Sequence, residues 1–458
     1  MLLIVPRFRL WLSFPPLGAL YVASQFRRRG RTVSLIDANF LSETEFWKRV
    51  DNEIEAHDTV GITANISHAS SAIEIASQIR KKYPDRRIIW GGPYPSAEYS
   101  RLVPDVADAV VIGEGEKQAS LLAEGRKFSD VPGMAYFDDG KIKVNERANF
   151  IQNLDEIPFP AWDLVKENRY DFPGRKPAFS MLTQRGCPFK CINCSTFMHG
   201  NMFRSRSPDN IVEEMEFLIK DYRCREIHIW DDNFTLQPER VKKICESILK
   251  RGLEKKLRFV LPNGIRADIY DDEMFTMMRK AGFYLMAVAV ESGDQKVVDK
   301  LGKGLDLGKV PEFLRKLDEK GFRIALFFMM GLPFESRDSI MKTVNFASSL
   351  PGHHSHFFMV TPMPGTKLYE MVAEKRNLEM KYENETINYE DGSDRFSSPD
   401  VPADELNRIR RLAYRRFYLN PKRLWDIFRT MLRDGGLFYD FHFLVKNIFN
   451  MVCRGHRS

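Results

Sequence analysis

Three cysteines carry the most chemistry in this sequence. Cys187, Cys191 and Cys194 fall within Gly186-Cys187-Pro188-Phe189-Lys190-Cys191-Ile192-Asn193-Cys194. An i, i+4, i+7 spacing could line one helix face with buried thiols, but Gly186 before the run, Pro188 inside it and the charge of Lys190 favour a loop. Three thiolates suit a [4Fe-4S] cube better than zinc, because a structural zinc wants a fourth ligand and only His199 lies near enough in sequence to offer one. A cube on three thiolates keeps one iron open, and an open metal position can bind a molecule and pass it an electron. A ferredoxin-like carrier would have filled that corner.

The elements that position this loop read as two α/β regions. Residues 1–150 alternate short apolar runs (Leu2 to Val5, Thr32 to Ile36, Thr59 to Ala64, Arg87 to Trp90, Ala109 to Ile112) with amphipathic segments, which predicts a Rossmann-like, doubly wound, five-stranded parallel sheet. Such sheets bind ligands at the carboxyl ends of their strands. Those ends here carry Asn65 and Ser67, Gly91-Gly92-Pro93 and Gly113-Glu114-Gly115-Glu116, small or turn-forming residues that either allow close approach to a ligand or simply make tight turns. Residues 151–175, rich in proline and without helical periodicity, read as an extended linker. From 176 to 378 the alternation resumes, with strands expected at Phe179 to Thr183, Glu226 to Trp230, Leu257 to Leu261, Tyr284 to Val290, Arg323 to Met330 and His356 to Thr361. Helices such as Ile211 to Tyr222 and Pro238 to Lys250, bounded by Asp209 and Gly252, fall between them. Six such units make a partial (β/α)6 relative of the eightfold TIM barrel, and the cysteine loop follows its first strand, where such barrels place active-site loops. Residues 379–458 read as a basic helical C-terminal region broken at Pro421 and at Gly435-Gly436.

Beyond the cysteines the chain resembles the radical S-adenosylmethionine (SAM) enzymes over roughly Phe179 to Leu378. Trp230-Asp231-Asp232-Asn233 resembles the segment that holds the SAM amino group, and Glu291-Ser292-Gly293 the ribose-contacting element. Gly331-Leu332-Pro333-Phe334-Glu335 resembles the adenine-side glycine motif, and Asn263-Gly264-Ile265-Arg266 a further segment of the same cavity. The resemblance thus assigns Asp231, Asp232, Asn233, Asn263, Arg266, Glu291, Ser292, Gly331 and Glu335 to SAM. Asn193 departs from the pattern, since an aromatic residue usually precedes the third cysteine. Pro15-Pro16-Leu17-Gly18-Ala19-Leu20-Tyr21, Gly91-Gly92-Pro93-Tyr94-Pro95 and Gly113-Glu114-Gly115-Glu116 resemble the cobalamin-binding domain of the cobalamin-dependent subgroup. That assigns Asn65, Ser67, Gly91, Gly92, Pro93, Tyr94, Gly113, Glu114, Gly115 and Glu116 to cobalamin. The Asp-x-His-x-x-Gly element of histidine-ligated cobalamin proteins is absent, and neither His57 nor His68 sits in that pattern.

The resemblance implies three cofactors, a [4Fe-4S] cluster, SAM and cobalamin, and an enzyme in which a 5′-deoxyadenosyl radical activates an inert carbon that methylcobalamin then methylates. It leaves a cobalamin-dependent cyclase or ring-rearranging enzyme as the main rival, and a cobalamin sensor with a vestigial barrel as a rival of another class. Methylthiolation of transfer RNA would need cysteines in the first domain, and none precedes Cys187. Cys224, Cys245 and Cys453 read as structural bystanders, and His353, His354 and His356 as a solvent-facing trio before the sixth strand.

Composition sets the surroundings. A 458-residue chain with 43% hydrophobic and 29% charged residues is globular and too long for one core. Six cysteines are too few for a disulfide framework, and Met1 to Pro6 lacks the order of a secretion signal, so a cytoplasmic protein is expected. The net charge is +7, and residues 404–458, with 12 Lys and Arg against five Asp and Glu, account for all of it. A nucleic-acid-binding body is therefore not expected. Expected partners are a small-molecule or lipid substrate and an electron donor such as flavodoxin or ferredoxin. The tail, with Trp425, Phe428, Phe438, Phe441, Phe443 and Phe449 among its basic residues, is either a helical cap on the barrel or a membrane-surface contact.

Overall fold

Apolar runs buried on both faces form the sheets that the sequence pattern calls for, and the computed structural model describes them within residues 1–8, 14–147, 149–166, 170, 174–376 and 400–434. The chain folds as two units. The described residues of Met1–Asp171, Asn193–Arg204 and Pro362–Ile387 form the first, and those of Phe172–Ile192, Ser205–Thr361 and Asn388–Ser458 the second.

In the first unit, Leu2–Val5 (β1) is buried along its whole length and pairs in parallel with Ser34–Asp37 (β2) and Thr59–Thr63 (β3). Arg87–Gly91 (β4) and Ala109–Val111 (β5) continue the parallel sheet. The order β2-β1-β3-β4-β5 reverses at β1, which opens a crevice at the carboxyl ends of β1 and β3. The sheet has seven strands, which corrects the expected five: Met134–Asp138 (β6) and Lys141–Val144 (β7) add antiparallel to the β5 edge. Their turn is Asp139-Gly140, both at positive φ (50° and 76°), the backbone that a two-residue hairpin needs. An Asp-Gly between two short strands was a signal available in the sequence. The connector after residue 150 is less extended than expected, with short 3₁₀ turns at Leu154–Glu156 and Trp162–Val165. Trp162 is buried there.

In the second unit Ala178–Met181 (β8), Glu226–Ile229 (β9), Arg258–Ile265 (β10), Phe283–Glu291 (β11), Arg323–Met330 (β12) and His354–Met359 (β13) pair in chain order, all parallel. This is the expected six-stranded partial barrel. Its first helix, Pro208–Tyr222, is capped by the Ser207 hydroxyl with Pro208 in the first turn, so Asp209 lies inside the helix and is not its cap. β10 runs past its expected end. Gly264 lies so close to β11 that a Cβ there would stand 2.4 Å from the Ala289 Cβ, which puts Asn263-Gly264-Ile265 inside the strand and not in a loop after it.

The histidine trio also needs correction. His353 is buried and its Nδ1 accepts from the Ile324 N–H, while His354 and His356 are strand residues. The helix Ala403–Tyr418 covers the opposite face of β13, where the Tyr418 and Tyr414 hydroxyl oxygens accept from the N–H groups of Ser355 (3.1 Å) and Phe357 (3.2 Å). Two tyrosines thus satisfy the open edge that a partial barrel leaves. Cys224 and Cys245 are buried, as expected of bystanders. Cys453, Gly435-Gly436, Phe438, Phe441, Phe443 and Phe449 lie outside the described residues. Among the described residues no helix is long and apolar enough to cross a membrane.

Candidate active site

The cysteine loop leaves β8 through Thr183 and Gln184, both essentially unexposed, and two neighbouring carboxylates at the end of β9 fasten its base. Asp231, 2% exposed, accepts the backbone N–H of Thr183 (2.6 Å) and of Gln184 (3.1 Å) on one oxygen and the Thr183 hydroxyl on the other. The Arg240 guanidinium lies 4.0 Å from that second oxygen and donates to the Thr183 carbonyl at 2.7 Å. Burial pushes the Asp231 carboxyl up to about 6, against the opposing pull of Arg240 and the loop donors. Asp232 accepts from the N–H of Gly186, whose φ of +83° turns the chain into the first cysteine. Downstream, the Ile192 N–H donates to the Leu301 carbonyl at 3.0 Å, and the Arg266 guanidinium stacks 3.6 Å over the Phe189 ring.

Cys187 and Cys191 are partly buried, Cys194 is exposed and none is in a disulfide. Burial raises the Cys191 thiol, while Lys303 and Arg266 pull it back toward thiolate. A soft, anionic thiolate donor beside two buried cations fits an iron–sulfur cluster, whose net negative charge they would offset. Among the described residues no three His, Cys, Asp or Glu side chains stand close enough together to hold a metal ion.

The other SAM-assigned residues divide by what they touch. Asn263 ties β10 to β9 by donating to the carbonyls of Trp230 and Asp231, and Arg266 pairs with Asp268. Glu291 sits at a strained φ of +72° and accepts from Lys303 at 2.9 Å. Ser292 bonds Thr343 on the helix Arg337–Ser349. Glu335, 1% exposed, accepts the N–H groups of Gly331 and Leu332 at 2.8 and 2.9 Å, and burial pushes its carboxyl up to about 7. These contacts make Asp231, Asn263, Ser292 and Glu335 builders of the site's frame. Asn233 differs: it is 2% exposed and neither end of its side-chain amide meets a partner among the described residues. Gln184, which sequence reasoning missed, is likewise buried with both amide atoms unmatched. Buried amides left open cost free energy unless something else bonds them, so these two fit a polar ligand such as SAM. Nothing in the sequence marked Gln184. Arg240 and Thr183 were missed too, because their partners lie 57 and 48 positions away along the chain, and Lys303 because its partner Glu291 lies on another element 12 positions back.

In the first unit, Gly92 has φ +111° and a Cβ there would stand 2.6 Å from the Ala64 carbonyl oxygen, so glycine is required. Pro93 starts the following helix, Tyr94 is buried and its N–H donates to the same carbonyl. The Ser96 hydroxyl, also missed, donates to the Gly92 carbonyl (2.8 Å) and accepts from the Gly113 N–H (3.0 Å), joining the ends of β4 and β5. Asn65 caps its own turn through the Ser67 N–H, while the buried Ser67 hydroxyl has no partner among the described residues, an open polar group at the sheet's carboxyl edge that suits a polar cofactor. Glu114 is spent within the unit: its carboxylate takes both Arg204 amino groups (3.0 and 2.5 Å) and His199 Nδ1 (2.9 Å), holding the segment after Cys194. Gly115 precedes the helix Glu116–Ala123, and Glu116 is buried. A cleft is lined here by Ser96, Gly113, Glu114, Gln118, Phe150 and Met198.

This arrangement is that of a radical SAM enzyme. Residues 181–347 match the model of the radical SAM superfamily, and residues 11–123 that of the B12-binding domain. An uncharacterized methyltransferase of Pyrococcus horikoshii is 30% identical over 429 residues, 90% of each chain. An anaerobic magnesium-protoporphyrin IX monomethyl ester cyclase of Rubrivivax gelatinosus is 26% identical over 89% of this chain and 74% of its own. The fold is similar to that of the cobalamin-dependent SAM radical enzyme OxsB, solved with aqua-cobalamin and SAM bound, at a TM-score of 0.71 and 18% identity over 100% of this chain and 73% of that one. The chain belongs to the cobalamin-dependent radical SAM enzymes, whose cofactors are the [4Fe-4S] cluster, SAM and cobalamin.

Proposed function

We propose that the protein is a methyltransferase that methylates an unactivated carbon of a small, flat or largely apolar molecule, with Cys187, Cys191 and Cys194 as cluster ligands. The observation that carries this reading is the cysteine loop, strapped by Asp231, Asp232 and Leu301 beside two unmatched buried amides, in a chain whose relative over 90% of its length is named a methyltransferase. Bound together, the cofactors supply an electron, an agent able to break a strong C–H bond and a transferable methyl group.

The chain's part is placement. Asp231 and Asp232 hold the loop at fixed register, Glu335 fixes the Gly331 turn, and Asn233 and Gln184 offer four polar atoms to a ligand. The substrate wall is the unhelical face of β12 and β13, where Phe327, His356 and Phe358 pack edge-on and stacked with centroids 5.2–5.7 Å apart. Phe358 is 38% exposed, and the facing strand positions Ala287 and Ala289 are small, which leaves room for a planar or apolar guest. Electron supply by a flavodoxin or ferredoxin and a cytoplasmic location complete the reading.

The test is anaerobic incubation of reconstituted enzyme with CD₃-labelled SAM and candidate substrates: label in the product supports methyl transfer, and product formed without label overturns it. The second reading, a cyclase or ring-rearranging enzyme, is favoured by the Rubrivivax gelatinosus relative and predicts that unlabelled product.

A further inference from the structure

The helix Pro421–Asp434 is fixed by one face and bare on the other. Arg423, 7% exposed, donates to the carbonyls of Ser348, Leu350 and Gly352 at 2.6–3.1 Å and so caps the end of the helix Arg337–Ser349. At the other end Asp434 accepts from Arg279 and Arg323, each at 3.3 Å. Ile427 and Thr430 are buried between these anchors. The anchors set the rotation of the helix, so Leu424, Trp425, Phe428 and Leu432 face away from the barrel at 43, 63, 39 and 53% exposure.

Among the described residues, five of the ten exposed large hydrophobic side chains fall in 419–432, these four and Leu419. Single exposed apolar side chains are ordinary, but a row of four on one helix face marks a contact surface. Lys422, Arg429 and Arg433, spaced i, i+7 and i+11, stand exposed along one edge of the row, and Arg415 and Arg416 stand exposed in the last turn of the preceding helix.

We infer that this face is a docking surface for an anionic bilayer, with the helix lying in the interface plane, its apolar row among the lipid tails and its cationic edge on phosphate headgroups. The rival occupant is the chain's own apolar segment 437–452, which carries only Asp440 as an acid. Packed on the row it would bring only Asp440 to an edge where Arg429 and Arg433 have Asp426 (3.4 Å) and Asp434 (3.3 Å) on their own helix, whereas a phosphate-rich surface meets both the row and its cationic edge. The inference rests on the proposed function only for its consequence, that an apolar substrate is met at the membrane, and vesicle binding reads the surface independently of turnover.

The experiment is flotation of the full-length protein, kept anaerobic, with vesicles of phosphatidylcholine alone and of phosphatidylcholine with one-third phosphatidylglycerol. The protein should float with the second and not the first. Lys422→Gln with Arg429→Gln should weaken that binding about thirtyfold, and Trp425→Glu with Leu432→Glu should abolish it, with thermal unfolding of both variants unchanged. Failure of the parent to float with anionic vesicles, or flotation of the Glu double variant equal to the parent's, overturns the inference, whether or not methyl transfer is observed.

Discussion

Replacing Asp231 tests whether the cysteine loop is held in place before any cofactor arrives. The carboxylate uses one oxygen for two backbone N–H groups and the other for the Thr183 hydroxyl and the nearby Arg240. Asp231→Ala strands three buried donors, each costing about 1–3 kcal/mol, and takes its counter-ion from the buried Arg240 charge. Breaking a buried pair in this way costs about 3–5 kcal/mol. These losses overlap in part, so the expected total is about 6–8 kcal/mol, a large part of a domain's stability. Asp231→Asn loses the same counter-ion but keeps an oxygen for both N–H groups, so it should cost less than Ala by what those donors are worth, about 3 kcal/mol. Anaerobic urea melts should therefore rank parent, Asn and Ala in that order, with about 3 kcal/mol separating the two variants. Iron per chain after reconstitution should fall in the same order although all three cysteines remain. Equal midpoints for Asn and Ala, or an Ala variant that melts with the parent and holds its full iron complement, would refute the view that Asp231 builds the loop.

The remaining predictions concern other buried groups. Glu335 has its folded pKa raised from 4.5 to about 7, so its contribution is intact below pH 4.5 and is lost as pH rises toward 7. Across that window the parent should lose about 3 kcal/mol more stability than Glu335→Gln, read from urea midpoints at several pH values. Glu114→Ala should strip Arg204 of its carboxylate and cost about 3–5 kcal/mol, measured by calorimetry, with faster proteolysis between Asn193 and Arg204. Gly92→Ala, forced into contact with the Ala64 carbonyl at positive φ, should weaken cobalamin retention on gel filtration by at least tenfold, while Gly125→Ala, equally left-handed but in open space, should leave it unchanged. Changing Cys187, Cys191 and Cys194 to Ala should abolish the cluster's brown absorption and paramagnetic signal, and retention of both would refute their role as ligands.

What the sequence made legible follows from how local each signal is. Strand positions in both units emerge from apolar runs because a parallel sheet buried on both faces needs nothing else, as β1 and β12 show. The cysteine loop was visible because its ligands are neighbours in the chain. The antiparallel pair β6 and β7 was missed despite its Asp-Gly turn, since its half-exposed residues make a weak run. Residues whose role depends on a distant partner were not readable. Thr183 and Asp231 are 48 positions apart, Glu114 and Arg204 are 90 apart, and no periodicity marks either pair.

The same distinction separates two kinds of polar residue at the site, which the sequence motifs lump together. Asp231, Asn263, Ser292 and Glu335 sit inside motifs that resemble ligand-contacting segments, yet their polar atoms bond backbone or neighbouring side chains of this chain. The side-chain amides of Asn233 and Gln184 are as deeply buried but have no partner among the described residues. A motif therefore records a neighbourhood, in which some residues hold the frame and others face the guest. Free energy tells them apart: a framing residue loses stability when replaced, whereas an unmatched buried amide is already a cost to the empty fold. Asn233→Leu should then leave the ligand-free protein as stable as the parent or more so, while weakening SAM binding by tenfold or more in equilibrium dialysis. A loss of stability without a loss of SAM affinity would place Asn233 with the frame.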